Sequence, residues 1–444
     1  MLLQRLHDSV KINWYDKILF GGIEVAQFIR AIKGTQDVLP AESHKIKYIE
    51  DTVMDVARLY GYREERTPVF EYTELFQRSV GDTTDIVQKE MYTFEDKGGR
   101  SITLRPEGTA GAVRLLLEHG LYNEALPQKV SYLTSCYRYE KPQAGRLREF
   151  HQFGVECFGA QDALADAELI SLADTIFKRL GVKDLKLEIN SIGCPTCRKE
   201  YHSALKEYFE DKKDELCETC HQRLETNPMR ILDCKVPTCA AIAENAPRTV
   251  DYLCDECREH FESLKKYLNT MGIDFEVNTS IVRGLDYYTK TVFEFVANSI
   301  GAQGTVCGGG RYDGLVEQMG GSHLPSLGFG MGLERLMLLM EAQGCDFPSP
   351  ERCDLFIVAL GDSAFEYAAK CVTDLRREGI HAEVDVTKRS LKAQMKYADK
   401  IGAGYVVVLG DDEINSDSVN LKNMSTGEQV KVKLSELADK INKL

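Results

Sequence analysis

The sequence predicts mixed helix and strand in two to three domains, the last of them α/β, and three observations carry that prediction. At 444 residues the chain exceeds one ordinary core, since a domain takes roughly 100–200 residues. Strand-like segments and turns fill most of residues 61–159 and return from Val282, with amphipathic helices before and between them. Beyond residues 344–353, a linker holding Gly344, Pro348 and Pro350, the pattern becomes strand, helix, strand, helix, strand. Such alternation marks βαβ units around a mainly parallel sheet.

Composition narrows the class. Hydrophobic residues make up 43% of the chain and charged residues 28%, values of a globular protein with a core rather than a disordered or disulfide-stapled one. No apolar run reaches the ~18–20 residues of a membrane span. Asp8, Lys11, Asn13, Asp16 and Lys17 break any signal-peptide core at the start. A cytoplasmic protein without a membrane partner is expected. With 55 basic against 69 acidic side chains the net charge is −14, so a nucleic acid must be met through local basic patches.

Taken in order, residues 1–28 match nothing that follows, carry the single tryptophan, Trp14, and read as an N-terminal tail. Gly21-Gly22 is encodable by a ribosome-binding sequence, and we expect a natural start near Val25, with a genuine extension as the alternative. Ile46, Ile49, Val53, Val56 and Leu59 recur every three or four residues, predicting a helix over 41–60 that stops at Gly61. Leu169, Leu172, Ile176 and Leu180 predict a second helix over 162–180, and residues 185–190 alternate as a strand. A Cys-rich, charged, helical insertion follows over about 193–262. Residues 301–314 are expected to form a glycine-dense loop, and a helix starts near Gly332. In the last domain, strands are expected at 355–360, 382–386 and 405–409, helices at 363–377 and 391–401, then strands at 419–422 and 429–433 and a short closing helix.

The insertion holds eight of the 14 cysteines, as Cys194-x2-Cys197, Cys217-x2-Cys220, Cys234-x4-Cys239 and Cys254-x2-Cys257. Reduced thiolates on zinc suit a cytosolic chain better than disulfides, and His221 and His260 stand near them in sequence. The alternative is that the thiols are packed as small hydrophobes, and four half-sites cannot be paired from sequence.

Elsewhere the chemistry is carried by glycines and arginines. Residues 308–314 (Gly-Gly-Gly-Arg-Tyr-Asp-Gly) lack the Lys-Ser/Thr ending of a P-loop, and residues 328–332 (Gly-Phe-Gly-Met-Gly) fail the dinucleotide fingerprint. The alternating glycines suit a backbone passing closely under a flat ligand, or tight packing. Arg105, Arg138, Arg283 and Arg335 lie in apolar, strand-like surroundings, where an arginine needs a partner. A polyphosphate ligand is one answer; pairing with Glu107, Glu140, Asp286 or Glu294 is the other.

With these motifs the chain closely resembles the histidyl-tRNA synthetase family of class II aminoacyl-tRNA synthetases, from about Ile32 to the C-terminus. Residues 61–68 (Gly-Tyr-Arg-Glu-Glu-Arg-Thr-Pro) resemble dimer-forming motif 1. Residues 137–146 with 150–156 resemble motif 2, and 328–335 motif 3. The stretches 283–289 (Arg-Gly-Leu-Asp-Tyr-Tyr-Thr) and 308–315 are specific to this family. The resemblance implies an α+β fold: a class II catalytic domain on an antiparallel sheet with flanking helices (29–343, including the insertion), and a C-terminal α/β anticodon-binding domain (354–444). It implies a homodimer that activates L-histidine with ATP and Mg2+ to histidyl-adenylate and pyrophosphate, then charges the 3′ end of the histidine tRNA.

By the same resemblance Arg283 and Arg138 are the catalytic residues, facing the α-phosphate. Arg138, Glu140 and Arg335 bind ATP, with Arg335 on the γ-phosphate. Glu107, Thr109 and Gln152 surround the α-amino group of histidine, Glu156 and Tyr288 hold the imidazole nitrogens, and Tyr287 lines the pocket. Catalysis is positioning plus electrostatic stabilisation, so no nucleophilic triad is needed, and His151 is expected to be merely a hydrogen-bonded neighbour. Lys141, Gln143 and Arg146 are tRNA-contact candidates in the motif 2 loop. Lys388, Lys392, Lys396 and Lys400 form a basic stripe opposite Leu391, Met395 and Ala398, with Lys392 and Lys396 as the anticodon-side candidates, unless the stripe is only a solvated face. Many relatives lack most of the insertion's thiols, so structural Zn2+ does not follow from the resemblance.

Two rival readings compete. A non-catalytic, histidine-sensing regulatory paralogue of histidine biosynthesis shares the catalytic domain but typically lacks the C-terminal one. A zinc-dependent nucleic-acid module would explain the cysteines and leave the rest of the chain without a purpose.

Overall fold

The computed structural model describes residues 28–443 apart from 82, 83, 85, 233, 235, 282–286 and 298–303. Most of the expected tail, with Trp14 and Val25, and the catalytic candidate Arg283 with Asp286, lie outside the described residues. Contacts divide the chain into two units, one built on Ile49–Asp346 and the other on Pro40–Tyr48 with Phe347–Leu444.

The first unit is organised by an eight-stranded sheet. Its order is Arg63–Glu64, Gln128–Tyr137, Glu149–Phe158, Ser326–Gly332, Thr305–Arg311, Thr289–Ala297, Leu185–Ser191 and Glu276–Val277. The six inner strands are antiparallel and the two short edge strands pair in parallel. Side chains alternate across a strand, and here the alternation separates two chemistries. Phe153, Phe293, Phe295 and Phe329 stack on one another on one face. The opposite face carries Gln152, Gly154 and Glu156, beside Gly328, Gly330 and Gly332 of the neighbouring strand.

One expectation is corrected here. Residues 305–311, assigned to a loop because of their glycines, form an inner strand, and residues 326–332 form another. Glycine weakens a strand unless something occupies the missing side-chain space. A Cβ on Gly328 would come within 1.8 Å of Glu156 Oε2, and one on Gly330 within 2.3 Å of Gln152 Nε2. Gly328 and Gly330 make room for those two side chains, the tight packing that was one of the two readings of these glycines.

Helix Ser43–Leu59 buries Ile49, Val53 and Val56, as its spacing predicts, although Leu59 is exposed. Helix Ala163–Arg179 starts from Asp162, whose carboxylate accepts the Leu164 amide at 2.8 Å. Two helices, Thr73–Val80 and Thr109–Glu118, stand where only strands and turns were expected. The second is buried at Thr109, Ala110, Gly111, Ala112, Val113 and Leu116, and Arg114 with Glu118, paired at 2.8 Å, mark its outer side, too few polar positions to display a clear helical period. The insertion forms helices Pro195–Glu210, Glu218–Thr226, Pro237–Glu244 and Asp255–Thr270.

Arg311, fully buried, ties the sheet to helix Ala163–Arg179 through Asp166 and to the Ala160 carbonyl at 2.6 Å. Burial alone would raise the Asp166 carboxyl, but Arg311 and His260 together hold it down at about 2. This arginine is therefore a packing element of the glycine-rich motif and not a free cation for a phosphate.

In the second unit, Ala382–Val384, Leu355–Ala359 and Tyr405–Leu409 are parallel, and Ser418–Asn423 and Gln429–Lys433 continue antiparallel. Leu355–Ala359 is buried at every position because both faces are covered, with Leu355, Ile357 and Ala359 in one core and Phe356 and Val358 in the other. Buried Gln394 anchors helix Leu391–Lys400 by bonding both the amide and the carbonyl of Ala359, at 3.1 and 2.9 Å.

Candidate functional site

The site is assembled on the glycine-bearing face of the large sheet. Glu107 sits where strand turns into helix Thr109–Glu118, and its carboxylate accepts the Thr109 and Ala110 amides at 2.7 and 2.8 Å. These are amides that a helix start leaves without partners. Burial pushes the Glu107 carboxyl up, while those amide bonds and the nearby Arg138 oppose the shift. Gln152 Oε1 accepts the Gly108 amide at 3.1 Å, fixing that turn against the sheet.

Glu156 lies deeper, 1% exposed. Tyr132 donates its hydroxyl to Oε1 at 2.8 Å, and Tyr312 donates to Oε2. Burial pushes the carboxyl up to about 8 against the pull of the Tyr312, Thr109 and Tyr132 hydroxyls, with the Glu107 charge adding to the rise. The tyrosines themselves are pushed well above their ordinary values by burial, so they remain neutral donors. Tyr287, Tyr288 and Tyr312 complete the wall, with ring centroids 4.8 Å apart for Tyr287–Tyr288 and 5.3 Å for Tyr287–Tyr312.

The structure thus brings Glu107, Thr109, Gln152, Glu156, Tyr287 and Tyr288 together. Tyr132 and Tyr312, which hold Glu156, are the residues that sequence reasoning missed. Tyr312 lies within the family-specific 308–315 stretch, where the glycines are the stronger sequence signal. Tyr132 had no local signal, since it sits in an ordinary strand pattern.

A second group adjoins the first. Arg138 Nε donates to the Pro106 carbonyl at 2.9 Å, one residue from Glu107, and its guanidinium lies 5.3 Å from the Phe150 ring centroid. Glu140 pairs with Arg146 at 3.3 Å rather than with Arg138. Gln143 and Arg146 exchange backbone bonds at 3.1 and 2.9 Å, closing a hairpin whose Gly145 has φ 70°; Lys141 and Gln143 are exposed on it. Arg335 Nη1 donates to the Thr305 carbonyl at 2.6 Å. Burial and the Arg146 charge hold its guanidinium below the usual value. Cations brought close at this cost mark a place where an anionic ligand lowers the energy.

Arg105, counted among the phosphate candidates, is corrected: it donates to the carbonyls of Ser135, Thr67 and Pro68 at 2.7, 2.9 and 3.1 Å and is structural. His151 Nδ1 meets Glu334 at 2.7 Å, the hydrogen-bonded role expected of it.

In the second unit Lys392, Lys396 and Lys400 are exposed along helix Leu391–Lys400. Lys388 precedes that helix and pairs with Asp362 at 2.9 Å, so the stripe has three members on the helix, not four. Of the residues expected opposite, Ala398 is buried but Leu391 is 43% exposed, and Gln394 takes its place.

The eight insertion cysteines resolve into two groups, Cys194, Cys197, Cys254 and Cys257, and Cys217, Cys220, Cys234 and Cys239. Neither nearby histidine joins them. His221 Nε2 contacts the Leu216 carbonyl at 3.1 Å, and His260 faces Asp166 at 3.3 Å.

Comparison with known proteins agrees with this layout. Residues 34–336 match the histidyl-tRNA synthetase family model, and residues 354–444 match the anticodon binding domain. The histidine–tRNA ligase of Caldanaerobacter subterraneus subsp. tengcongensis is 57% identical over 408 residues, 92% of this chain and 98% of that protein. That of Acetivibrio thermocellus is 58% identical over 412 residues, 93% and 99% of the two chains. The crystal structure of apo Staphylococcus aureus histidyl-tRNA synthetase superposes with a TM-score of 0.81 at 42% identity, covering 93% of this chain and all of that one (100%). With the class II catalytic fold, the anticodon-binding fold and the full-length likeness together, the chain belongs to the histidyl-tRNA synthetase family.

Proposed function

We propose that this chain is a histidine–tRNA ligase that forms histidyl-adenylate from L-histidine and MgATP, releases pyrophosphate, and passes the histidyl group to the 3′ end of its tRNA. The histidine carboxylate is the nucleophile, so the protein contributes position and charge. Arg138 and Arg283 stabilise the charge that develops at the α-phosphate, and Arg335 holds the γ-phosphate with Glu140 nearby. Glu107, Thr109 and Gln152 receive the α-amino group. Glu156, braced by Tyr132 and Tyr312, and Tyr288 engage the imidazole, with Tyr287 against its face. An analogue without a ring nitrogen forgoes its bond to Glu156 or to Tyr288 inside a buried pocket, which is a basis for discrimination without editing.

The observation that carries the reading is the likeness across both units. The rival regulatory paralogue typically lacks the anticodon-binding unit, whereas residues 354–444 form one here. Lys141, Gln143 and Arg146 face the acceptor end in this reading, and Lys392 and Lys396 the anticodon side. The enzyme works as a cytoplasmic homodimer; the edge strand Arg63–Glu64, which pairs on one side only among the described residues, carries the family's dimer motif. Structural zinc in the Cys-rich insertion belongs to the same reading.

The test is histidine-dependent exchange of labelled pyrophosphate into ATP, with histidinol as competitor. Arg138→Ala is expected to lower kcat by about 10²–10³-fold. A folded wild-type protein that binds histidine without exchange would sink the ligase in favour of the regulatory paralogue.

A further inference from the structure

We infer that the insertion holds two separate tetrathiolate zinc ions with different tasks. One, on Cys194, Cys197, Cys254 and Cys257, positions the Tyr288 segment of the histidine pocket. The other, on Cys217, Cys220, Cys234 and Cys239, folds the helical segment between Glu218 and Glu244 and does not anchor the Tyr288 backbone. The pairing stands on its own geometry; the positioning task deepens the function proposed above and rests on that reading of Tyr288.

The sulfur geometry carries the metal. A tetrahedral site with Zn–S near 2.3 Å has S···S edges of about 3.8 Å. Cys194 and Cys197 Sγ are 3.6 Å apart, Cys194 and Cys254 4.0 Å, and Cys217 and Cys234 3.9 Å. Within each group every pair of Sγ atoms lies within 4.8 Å. A disulfide needs about 2.05 Å and joins only two sulfurs, whereas both groups gather four.

The local structure repeats in a way that packing of small hydrophobes would not require. Cys194, Cys217 and Cys254 each cap the N-terminus of a helix, and Cys197, Cys220 and Cys257 follow in the first turn. Cys239 stands in the first turn of helix Pro237–Glu244. Thiolates so placed meet the positive end of the helix. The Cys254 amide donates to Cys197 Sγ at 3.1 Å, and the Cys217 amide donates to Cys239 Sγ at 3.2 Å. One half-site thus braces the other in both groups, as outer hydrogen bonds to metal-bound sulfur do. Among the described residues, the buried cluster around the first group holds Leu253 besides its cysteines, too little core to hold two helix starts together without a metal.

The difference in task follows from what flanks each group. Gly193, next to Cys194, accepts the Lys290 amide at 2.9 Å. Arg198, next to Cys197, donates to the Tyr288 carbonyl, and Glu256, between Cys254 and Cys257, pairs with Lys290 Nζ at 2.8 Å. Three anchors of residues 288–290 therefore come from the neighbours of one set of ligands, and with the Ile192 amide on the Lys290 carbonyl at 2.8 Å and Asp313 at 3.8 Å from its Nζ they hold Lys290 at φ 48°. Beside the second group, the hydrogen bonds of Leu216, His221 and Cys234 stay within the insertion, and Cys220, Cys234 and Cys239 meet the core that holds Tyr287 and Tyr288 through apolar packing alone.

Metal analysis of the purified full-length chain tests this. Two zinc ions per chain are expected, with one lost from Cys194→Ser/Cys197→Ser and one from Cys217→Ser/Cys220→Ser. Cobalt-loaded protein should show a thiolate-to-cobalt charge-transfer band that falls by half in each variant. In pyrophosphate exchange the first variant should raise KM for histidine by about tenfold, while the second leaves it within about twofold of wild type. Should a variant precipitate, alkylation of the native wild type read by peptide mass decides the pairing, because the eight cysteines should become reactive in those two groups of four as metal is withdrawn. Fewer than two ions, iron in place of zinc, or reactivity in other groupings overturns the assignment. Equal effects of the two variants on histidine KM overturn the division of tasks. If wild type holds two zinc ions and exchanges nothing, the ligase reading fails and the metal sites stand.

Discussion

Glu156 concentrates the chemistry at the scale of one residue. Its carboxyl is held by two tyrosine hydroxyls in a buried site and titrates at about 8 instead of 4.5. Between those values the folded chain retains a proton that the unfolded chain has released, so stability falls as pH rises and levels off above about 8. From pH about 5 to about 8 the expected loss is about 3 kcal/mol, and Glu156→Gln, which cannot ionise, should lack that component. Urea unfolding of both proteins across this range measures it, and parallel curves would show that Glu156 is ionised throughout. The residue's importance was legible from the motif 2 match, but its environment was not. Tyr132 and Tyr312 lie 24 and 156 positions away along the chain, and no local pattern announces that they converge on it. Arg105 illustrates the converse, since a buried arginine satisfied by three carbonyls has the same sequence surroundings as one awaiting a phosphate.

At the scale of an element, the strand Ser326–Gly332 shows how alternation builds a site. Phe329 and Met331 fill the core from one face, while Gly328 and Gly330 leave space for Glu156 and Gln152 on the other. Gly328→Ala places a methyl 1.8 Å from Glu156 Oε2 and 2.5 Å from the Val155 carbonyl. It should reduce kcat/KM for histidine in exchange by about 10²-fold, the scale of a misplacement of about 1 Å. Gly332→Ala in the same motif meets nothing nearer than Arg335 Cβ at 4.0 Å and should lose far less. Similar losses from both would mean that the motif needs backbone freedom rather than space. Element periods explain the rest of the sequence reading at this scale. Helices with a polar side, such as Ala163–Arg179, were legible to within a residue or two. Thr109–Glu118 was not, because a helix whose polar side is only Arg114 and Glu118 offers little of the contrast from which a period is read.

At the scale of the whole molecule, a net charge of −14 means that tRNA is held by patches, and the exposed lysines of helix Leu391–Lys400 are one candidate patch. Lys392→Ala/Lys396→Ala should raise KM for tRNA in charging by about tenfold, flatten its dependence on salt, and leave pyrophosphate exchange unchanged. An unaltered tRNA KM would make the stripe a solvated face. The sequence by itself determined the order and period of most elements, the two-part organisation, the family motifs and the presence of eight clustered thiols, because each is written in residues close together along the chain. Only the tertiary structure decided how those thiols divide into two groups, which tyrosines grip Glu156, and that the glycine-rich segments are strands making room for side chains. Those outcomes depend on which strands and helix starts become neighbours, and local periodicity specifies the face a residue occupies but not what it meets there.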